Sequence, residues 1–461
     1  MLKTEPDRGS KSQTGDFYPQ WQGQGNLSRW HAHLYKTIAA EISALGKYYD
    51  ELIQLEPLPG DSGFLLSQIE AANKSVRRQV ADLNIGDRRA LILLNGNFNH
   101  STDIELLLSN LKPALNRQSR LTVVAYNPYY AWLYKFATRM GWRQGQMPET
   151  FLTETDLINI AKLSGYEVVR VRPVGFSPLR LSGAGDALNA ILPTIPWFKC
   201  LSLTHVITMR PLIRSHKPSL SILIPARNER GNIEAALSRL PEFPGTRLEI
   251  IFVEGHSKDG TWEEIQRVKQ LYAHKFAIKT FQQTGIGKAD AVRLGLAKST
   301  CETAVILDAD LSTPPELMTR FYEAYCAGLG DFINGSRLLY PIEGQAMKFL
   351  NRLGNIFFAK ALSRVLGVRL SDTLCGTKLF SLDSYARFLS WRNHFGDFDP
   401  FGDFELLFPA AELGLGIVDV PIRYRDRTYG ETNISRFRHG LMLLKMTLVG
   451  LLRISVGKIP H

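Results

Sequence analysis

TAVILDADLSTPPE, residues 303–316, decides how the second half of this chain is read. The apolar run TAVIL stops abruptly at two acids separated by one small residue. A short apolar run bounded by turn residues predicts a strand buried on both faces. In open α/β sheets ligands bind outside the carboxyl ends of the strands, so Asp308 and Asp310 fall where chemistry is expected. Alternate residues of an extended segment share a side, so both carboxylates can face one hard cation, Mg²⁺ or Mn²⁺. A lone D-x-D also serves as a turn or helix cap, so the neighbouring segments carry the argument.

Those segments repeat the pattern. Strands are predicted at Leu220–Pro225, Leu248–Val253, Ala277–Phe281, Thr303–Leu307 and Phe332–Asn334. Helices are predicted between them at Asn232–Leu240, Thr261–Tyr272, Ala289–Ala297 and Pro315–Ala327. Polar clusters follow the strands: PARNERGN (225–232), VEGHSKDGT (253–261) and TGIGKADAVRLG (284–295). Lys288 and Arg293 both read as solvated helix charges, but Lys288, in the glycine-flanked TGIGK, has the better claim to phosphate. His256 reads as a turn residue and Cys375 as a small packed one.

The first half alternates less clearly. A helix is predicted over 30–54, with strands at Ala90–Leu94, Leu121–Tyr126 and Glu167–Val171. Further helices fall at Asp103–Leu111, Tyr129–Met140 and Thr153–Leu163. The alternation predicts an α/β chain of two Rossmann-like domains, 30–202 and 219–435. A loose arm (1–29), a linker (203–218) and a C-terminal amphipathic helix (436–461) complete the expected organisation.

Composition bounds the function. The chain has 461 residues, a formal charge of +11 and 44% hydrophobic residues, enough for sizeable cores. Four scattered cysteines exclude a disulfide framework and a structural zinc site. The polar start shows no secretory signal, and no uncharged apolar stretch is long enough for a spanning helix. The basic excess predicts an anionic partner. Nucleic acid is not expected, because no aromatic-basic interleaving or recognised module is present.

Taken in order, the clusters from Leu220 to Lys458 resemble the GT-A domain of family-two glycosyltransferases, and especially the polyprenol- or dolichol-phosphate sugar transferases. The resemblance continues through INGSR (333–337), SDTLCGTKLF (371–380), FGDFELL (401–407) and VPIRYRDRTYGETN (420–433). It implies a nucleotide-sugar donor held by Pro225, Asn228 and Glu229, with Glu254 reading the nucleoside. Asp308 and Asp310 would bind metal and diphosphate, with Ser312 where a metal-facing Gln is frequent. Lys288, Arg337 and, in a closing loop, Arg427 would face the donor phosphates, while Asn433 falls near that loop's usual Lys. Catalysis is expected from Asp403, Glu405, Asp372 and Arg427. A lipid-phosphate acceptor arrives ionised and needs no strong base; a glycan hydroxyl would need Asp403 or Glu405. Either acceptor implies attack from the opposite face and inversion. A non-catalytic scaffold is the reading from another class.

Arg438, Lys445 and Arg453 fall within an arc of roughly 80° on the last helix, which otherwise reads Leu, Met and Val. That predicts an in-plane helix on an anionic membrane surface, peripheral on the cytoplasmic face. Residues about 30–210 resemble a class I methyltransferase domain through LILLNGNFNH, LKPALNRQSRLTVVAYNP and FLTETDLINIAKLSGYEVVRV. Around LEPLPGDSGFLLSQIEAANKS neither a G-x-G-x-G nor a preceding strand is recognised, so a degenerate domain without S-adenosylmethionine is expected.

Overall fold

The computed structural model describes residues 29–59, 61, 63–142, 146–180, 183–340, 349–395, 399, 402–424 and 436–455. The first half runs α1 (Arg29–Gly46), β1 (Glu51–Leu55), α2 (Phe64–Gln68), β2 (Lys74–Arg77), β3 (Ala90–Asn95), α3 (Asn97–His100) and α4 (Ile104–Leu111). It continues with β4 (Arg120–Tyr126), α5 (Ala131–Arg139), α6 (Glu154–Leu163), β5 (Tyr166–Val174), α7 (Ala184–Ile191) and β6 (Thr204–Pro211). These strands form one sheet in the order β2-β1-β3-β4-β6-β5, with β6 antiparallel to both of its neighbours.

The second half runs β7 (Leu220–Ala226), α8 (Ile233–Ser238), β8 (Leu248–Glu254), α9 (Thr261–Leu271), β9 (Ala277–Gln282), α10 (Lys288–Lys298), β10 (Thr303–Ile306) and α11 (Met318–Cys326). Then come β11 (Phe332–Ser336), α12 (Phe349–Leu366), β12 (Lys378–Ser381), α13 (Leu382–Phe395), α14 (Phe404–Glu412), β13 (Ile417–Pro421) and α15 (Arg436–Gly450). The sheet order is β13-β11-β12-β10-β7-β8-β9, with β12 antiparallel to β10 and β11. The reversed β12 matters for function. It brings its first residues, after TLCGT, to the edge where β7, β8 and β10 end.

The two sheets share one hydrophobic core, in which Ile42 and Leu45 of α1 belong with Leu362 and Leu366 of α12 and Leu406 and Phe408 of α14. Beside it lies a buried polar seam. Arg120 Nη2 is 2.6 Å from Asp331 Oδ2, and Arg117 and Arg210 reach the same carboxylate at 3.3 and 3.4 Å. The first half also covers the carboxyl ends of three helices from the second half. Arg117 donates to Tyr325 O at the end of α11, Arg172 to Val365 O in α12, and Tyr49 and Arg120 to Leu413 O and Gly414 O just past α14. Helix C-termini carry unpaired carbonyls and partial negative charge, so guanidinium groups stabilise them there.

Three expectations need correction. The predicted helix over 30–54 ends at Gly46, and Glu51–Leu55 is a fully buried strand. A strand therefore does precede the LEPLPGDSG segment. Parallel partners on both sides, β2 and β3, override the local helical pattern there. The 203–218 segment is mostly not a linker: Thr204–Pro211 is β6, buried between β4 and β5. The first sheet thus extends past 202 to Pro211. The 1–29 arm lies, except for Arg29, outside the described residues.

Candidate active site

The loops after β7 and β8 are laced together. Asn228, at φ 56°, donates its N–H to Ser257 Oγ (2.9 Å) and accepts from Lys258 N through Oδ1 (2.9 Å). Asn tolerates this left-handed conformation better than most residues. Glu229 N donates to Thr261 Oγ1, and Glu229 Oε2 accepts from Asn232 Nδ2 at 2.7 Å. Pro225 lies on β7 in register with Val253. Glu254 is buried; Oε1 accepts from Ser257 N at 2.5 Å and Oε2 from Gln282 Nε2 at 3.3 Å. The expected nucleoside reader thus shapes its own loop. His256 sits at φ 58° in that turn, as a turn residue should.

After β10, Asp308 and Asp310 lie in a turn rather than an extended segment, and Leu311 takes φ 55°. The turn gives the two acids different surroundings. Asp310 is buried, and its Oδ1 accepts from Ser312 N (3.0 Å) and Ser312 Oγ (2.7 Å). Ser312 therefore orients Asp310 by hydrogen bonding. Asp308 is more open and forms an ion pair with Lys288 Nζ. Burial raises the Asp308 pKa, but Lys288, Lys378 and Arg337 outweigh it and hold the carboxyl below its usual range. Gly376 passes so close that a Cβ would collide with Lys288 Nζ and the Asp308 carboxylate. A Cβ at this position would force the ends of both side chains to shift.

The remaining acids are pinned by cations. Lys378, fully buried at the start of β12, donates to Asp403 Oδ1 at 2.6 Å and also to Cys375 O. Glu405 receives Arg293 through both oxygens, at 3.0 and 3.1 Å from Nε, with Arg392 at 3.8 Å. Arg293 is thus an ion-pair partner, not a solvated charge. Asp372 binds Arg337 in a fork, at 2.7 and 2.8 Å, and accepts Leu374 N. Burial raises the Asp372 pKa, yet Arg337 holds it below the usual range. Asp372 is accordingly a positioning residue for Arg337, whose guanidinium also lies 5.4 Å from the Tyr424 ring centroid. Asp399, absent from the expected set, accepts Phe404 N and Glu405 N and so caps α14. Cys375 is buried and packed, its thiol pushed up to about 11 by burial. Arg427 and Asn433 lie outside the described residues.

Among the described residues, no group of three or more His, Cys, Asp or Glu is placed to hold a metal alone. The donor set instead suits a hard cation that completes its shell from substrate oxygens and water. Asp308, Asp310 and Asp403 against Lys288 and Lys378 leave one net negative charge in this cluster. A diphosphate would be repelled unless a divalent cation came with it. The cradle between Gly376 and Asp308 is one that a Cβ would fill. Mg²⁺ or Mn²⁺ therefore fits these residues.

Residues 221–389, which carry the β7, β8 and β10 loops and Arg337, match the family described as glycosyl transferase family 2. Over that segment the chain is similar to family-two glycosyltransferases. Over 226 residues the chain is 28% identical to a dolichyl-phosphate hexose transferase of Haloferax volcanii, covering 49% of this chain and 91% of that protein. It is 35% identical over 135 residues to a dolichol-phosphate mannosyltransferase of Pyrococcus furiosus, covering 29% of this chain and 37% of that protein. The chain thus spans little more than a third of this second relative. Among solved structures, glucosyl-3-phosphoglycerate synthase of M. tuberculosis aligns at 19% identity with a TM-score of 0.38, covering 53% of this chain and 82% of that one.

Proposed function

We propose that the enzyme transfers a sugar from a nucleotide-sugar donor to a polyprenyl-phosphate acceptor at a membrane face, with inversion. The observation that carries the acceptor class is the state of the two candidate bases. Asp403 is held by Lys378, and Glu405 by Arg293 and Arg392. A sugar hydroxyl needs a base free to take its proton. A lipid phosphate, with a second pKa of ≈ 6, needs none. The names of both relatives point to the same acceptor chemistry.

Asp308 and Asp310 would hold Mg²⁺ or Mn²⁺, which when bound neutralises charge building on the diphosphate leaving group. Arg337, aimed by Asp372, supplies a fixed positive charge at the same edge. Lys288 supplies a second, and Arg427 is proposed to add a third from the closing loop. The Asn228–Ser257 and Asn228–Lys258 bonds hold the nucleoside end of the site in one shape.

Membrane docking is supported by exposed apolar side chains. Leu441, Leu444 and Leu448 of α15 are each at least half exposed and fall within a 60° arc at 100° per residue. Leu353 and Phe357 of α12, the helix packed on α15, are exposed as well. Lys445 and Arg453 are exposed beside them. No described helix is long and apolar enough to cross a membrane. An in-plane seat on anionic lipid suits this pattern.

The first half is proposed to be a degenerate methyltransferase-like domain, supported by a parallel sheet with one antiparallel strand, β6, inside its edge strand β5. Its strand-end donors are already engaged. Asp61 accepts from Gln54 Nε2 (2.7 Å), Asn95 Nδ2 (3.0 Å) and Gly63 N (2.9 Å). S-adenosylmethionine is expected to leave the melting temperature unchanged, and a shift would overturn that reading.

A thermal-shift screen of UDP-, GDP- and other nucleotide sugars with Mn²⁺ tests the donor. Incubation with polyprenyl phosphate then tests the acceptor. The expected product is a lipid-linked sugar released by mild acid; an acid-stable O-glycoside would overturn the lipid-phosphate reading.

A further inference from the structure

Asp308 and Asp310 are held in opposite ways. Asp310 is bound by a backbone amide and a hydroxyl of its own turn, which do not leave. Asp308 is bound by a lysine on another element, the first residue of α10, whose side chain is 36% exposed. Burial alone would lower the Lys288 pKa, but Asp308, Asp403 and Asp310 outweigh it, so the ammonium stays charged. A positive charge therefore already sits on the carboxylate that a metal needs. Gly376 leaves the space in which ammonium and carboxylate meet, since a Cβ there would strike both.

We infer that Lys288 is a resident cation that a divalent metal displaces from Asp308, and that the released ammonium then binds the donor diphosphate. This rests on the metal reading above and goes beyond it. No covalent bond changes. One charge-assisted contact, ammonium to carboxylate, is exchanged for another, ammonium to phosphate oxygen. Lysine suits the exchange because it is a compact point charge on a flexible four-carbon stem, whereas the guanidinium of Arg337 is locked in its fork with Asp372. The physical cause is the crowding of Asp308, Asp310 and Asp403. Without metal or lysine their repulsion would go unbalanced.

Two consequences follow. Metal binding without nucleotide is weakened, because the metal must break the Lys288 ion pair. Metal and diphosphate must also bind cooperatively, each raising the affinity of the other by the same factor. A partly exposed ion pair sets that factor at roughly five- to ten-fold.

The test is calorimetric titration of the full chain with Mn²⁺, alone and with saturating UDP or GDP, for wild type, Lys288→Gln and Lys288→Arg. Melting temperatures are measured alongside. Wild type is expected to bind Mn²⁺ weakly alone and several-fold tighter with nucleotide. Lys288→Gln should bind Mn²⁺ alone roughly five- to ten-fold tighter than wild type and lose the coupling to nucleotide. Its melting temperature should be lower without metal and recover with it. Lys288→Arg, which keeps the charge, should retain weak Mn²⁺ binding. Equal or weaker Mn²⁺ binding by Lys288→Gln, while wild type binds Mn²⁺ normally, overturns the exchange and leaves the metal site standing. Absence of Mn²⁺ binding in all three proteins, with and without nucleotide, overturns both.

Discussion

Arg120, the first residue of β4, and Asp331, one residue ahead of β11, meet at 2.6 Å with both side chains buried. Burial raises the Asp331 pKa, but Arg120, Arg210 and Arg117 overcome it and hold the carboxyl well below its usual range. Strand β11 leads directly to Arg337, so this contact ties the first half of the chain to the strand carrying a proposed donor-site cation.

Removing that carboxylate leaves Arg117 and Arg120 without their acid, while Arg210 keeps Glu167. Asp331→Ala is expected to destabilise the protein by about 3–5 kcal/mol, the cost of leaving buried charges without their partner. Because one core runs through both halves, denaturant unfolding should remain a single transition by circular dichroism and by tryptophan fluorescence. Two separated transitions in wild type would contradict the shared core.

Asp310→Asn keeps the shape of the turn but removes a carboxylate from the proposed metal pair. The Mn²⁺-dependent thermal shift with nucleotide sugar should vanish while the metal-free melting temperature changes little. Turnover should fall by about 10²–10³-fold, as when one electrostatic element of a transition-state site is lost. An undiminished shift would remove Asp310 from the pair.

On the proposed reading, Glu405 acts through its ion pair with Arg293 and not as a base. Glu405→Gln should therefore lower stability, as should Arg293→Met, with the double variant less destabilised than the sum of the two. The pH–rate profile of Glu405→Gln should keep its acid limb. Loss of that limb would restore Glu405 as a base.

Acid should weaken the second sheet through Glu249. Burial raises its pKa, but Lys279, Ser221 and Thr300 bring it down to about 2 from the ordinary 4.5. A depressed carboxylate pKa stabilises the fold above the unfolded value and loses that contribution as pH falls through the folded value. Roughly 3 kcal/mol should thus disappear between about pH 4.5 and pH 2, and Glu249→Gln should flatten the stability–pH curve in that window. Denaturant midpoints at stepped pH measure it.

Vesicle co-sedimentation checks the membrane face. Leu444→Glu with Leu448→Glu should abolish binding to vesicles containing phosphatidylglycerol and leave the donor thermal shift intact. Retained binding would place the lipid contact elsewhere.

The strands with near-continuous apolar runs, LSILI, LEIIFV and TAVIL, were legible because burial on both faces demands such runs whatever surrounds them. So was the acid pair after β10, since strand ends in open sheets are where polar groups gather. The less apolar strands were not. ELIQL and THVITMRP become strands because neighbouring strands flank them, and Glu51 tolerates burial through Ser75 and Arg88, with Arg77 at 4.0 Å.

The sequence by itself therefore determined the α/β class, the glycosyltransferase resemblance and the polar residues that follow the strands, because these depend on local periodicity and short motifs. Only the tertiary structure decided which charges are free. Asp331 meets Arg120 across 211 residues, Glu405 meets Arg293 across 112, and Lys378 reaches Asp403 across 25. An ionised group's role depends on the partner within a few ångströms, and that distance is set by packing, not by spacing along the chain.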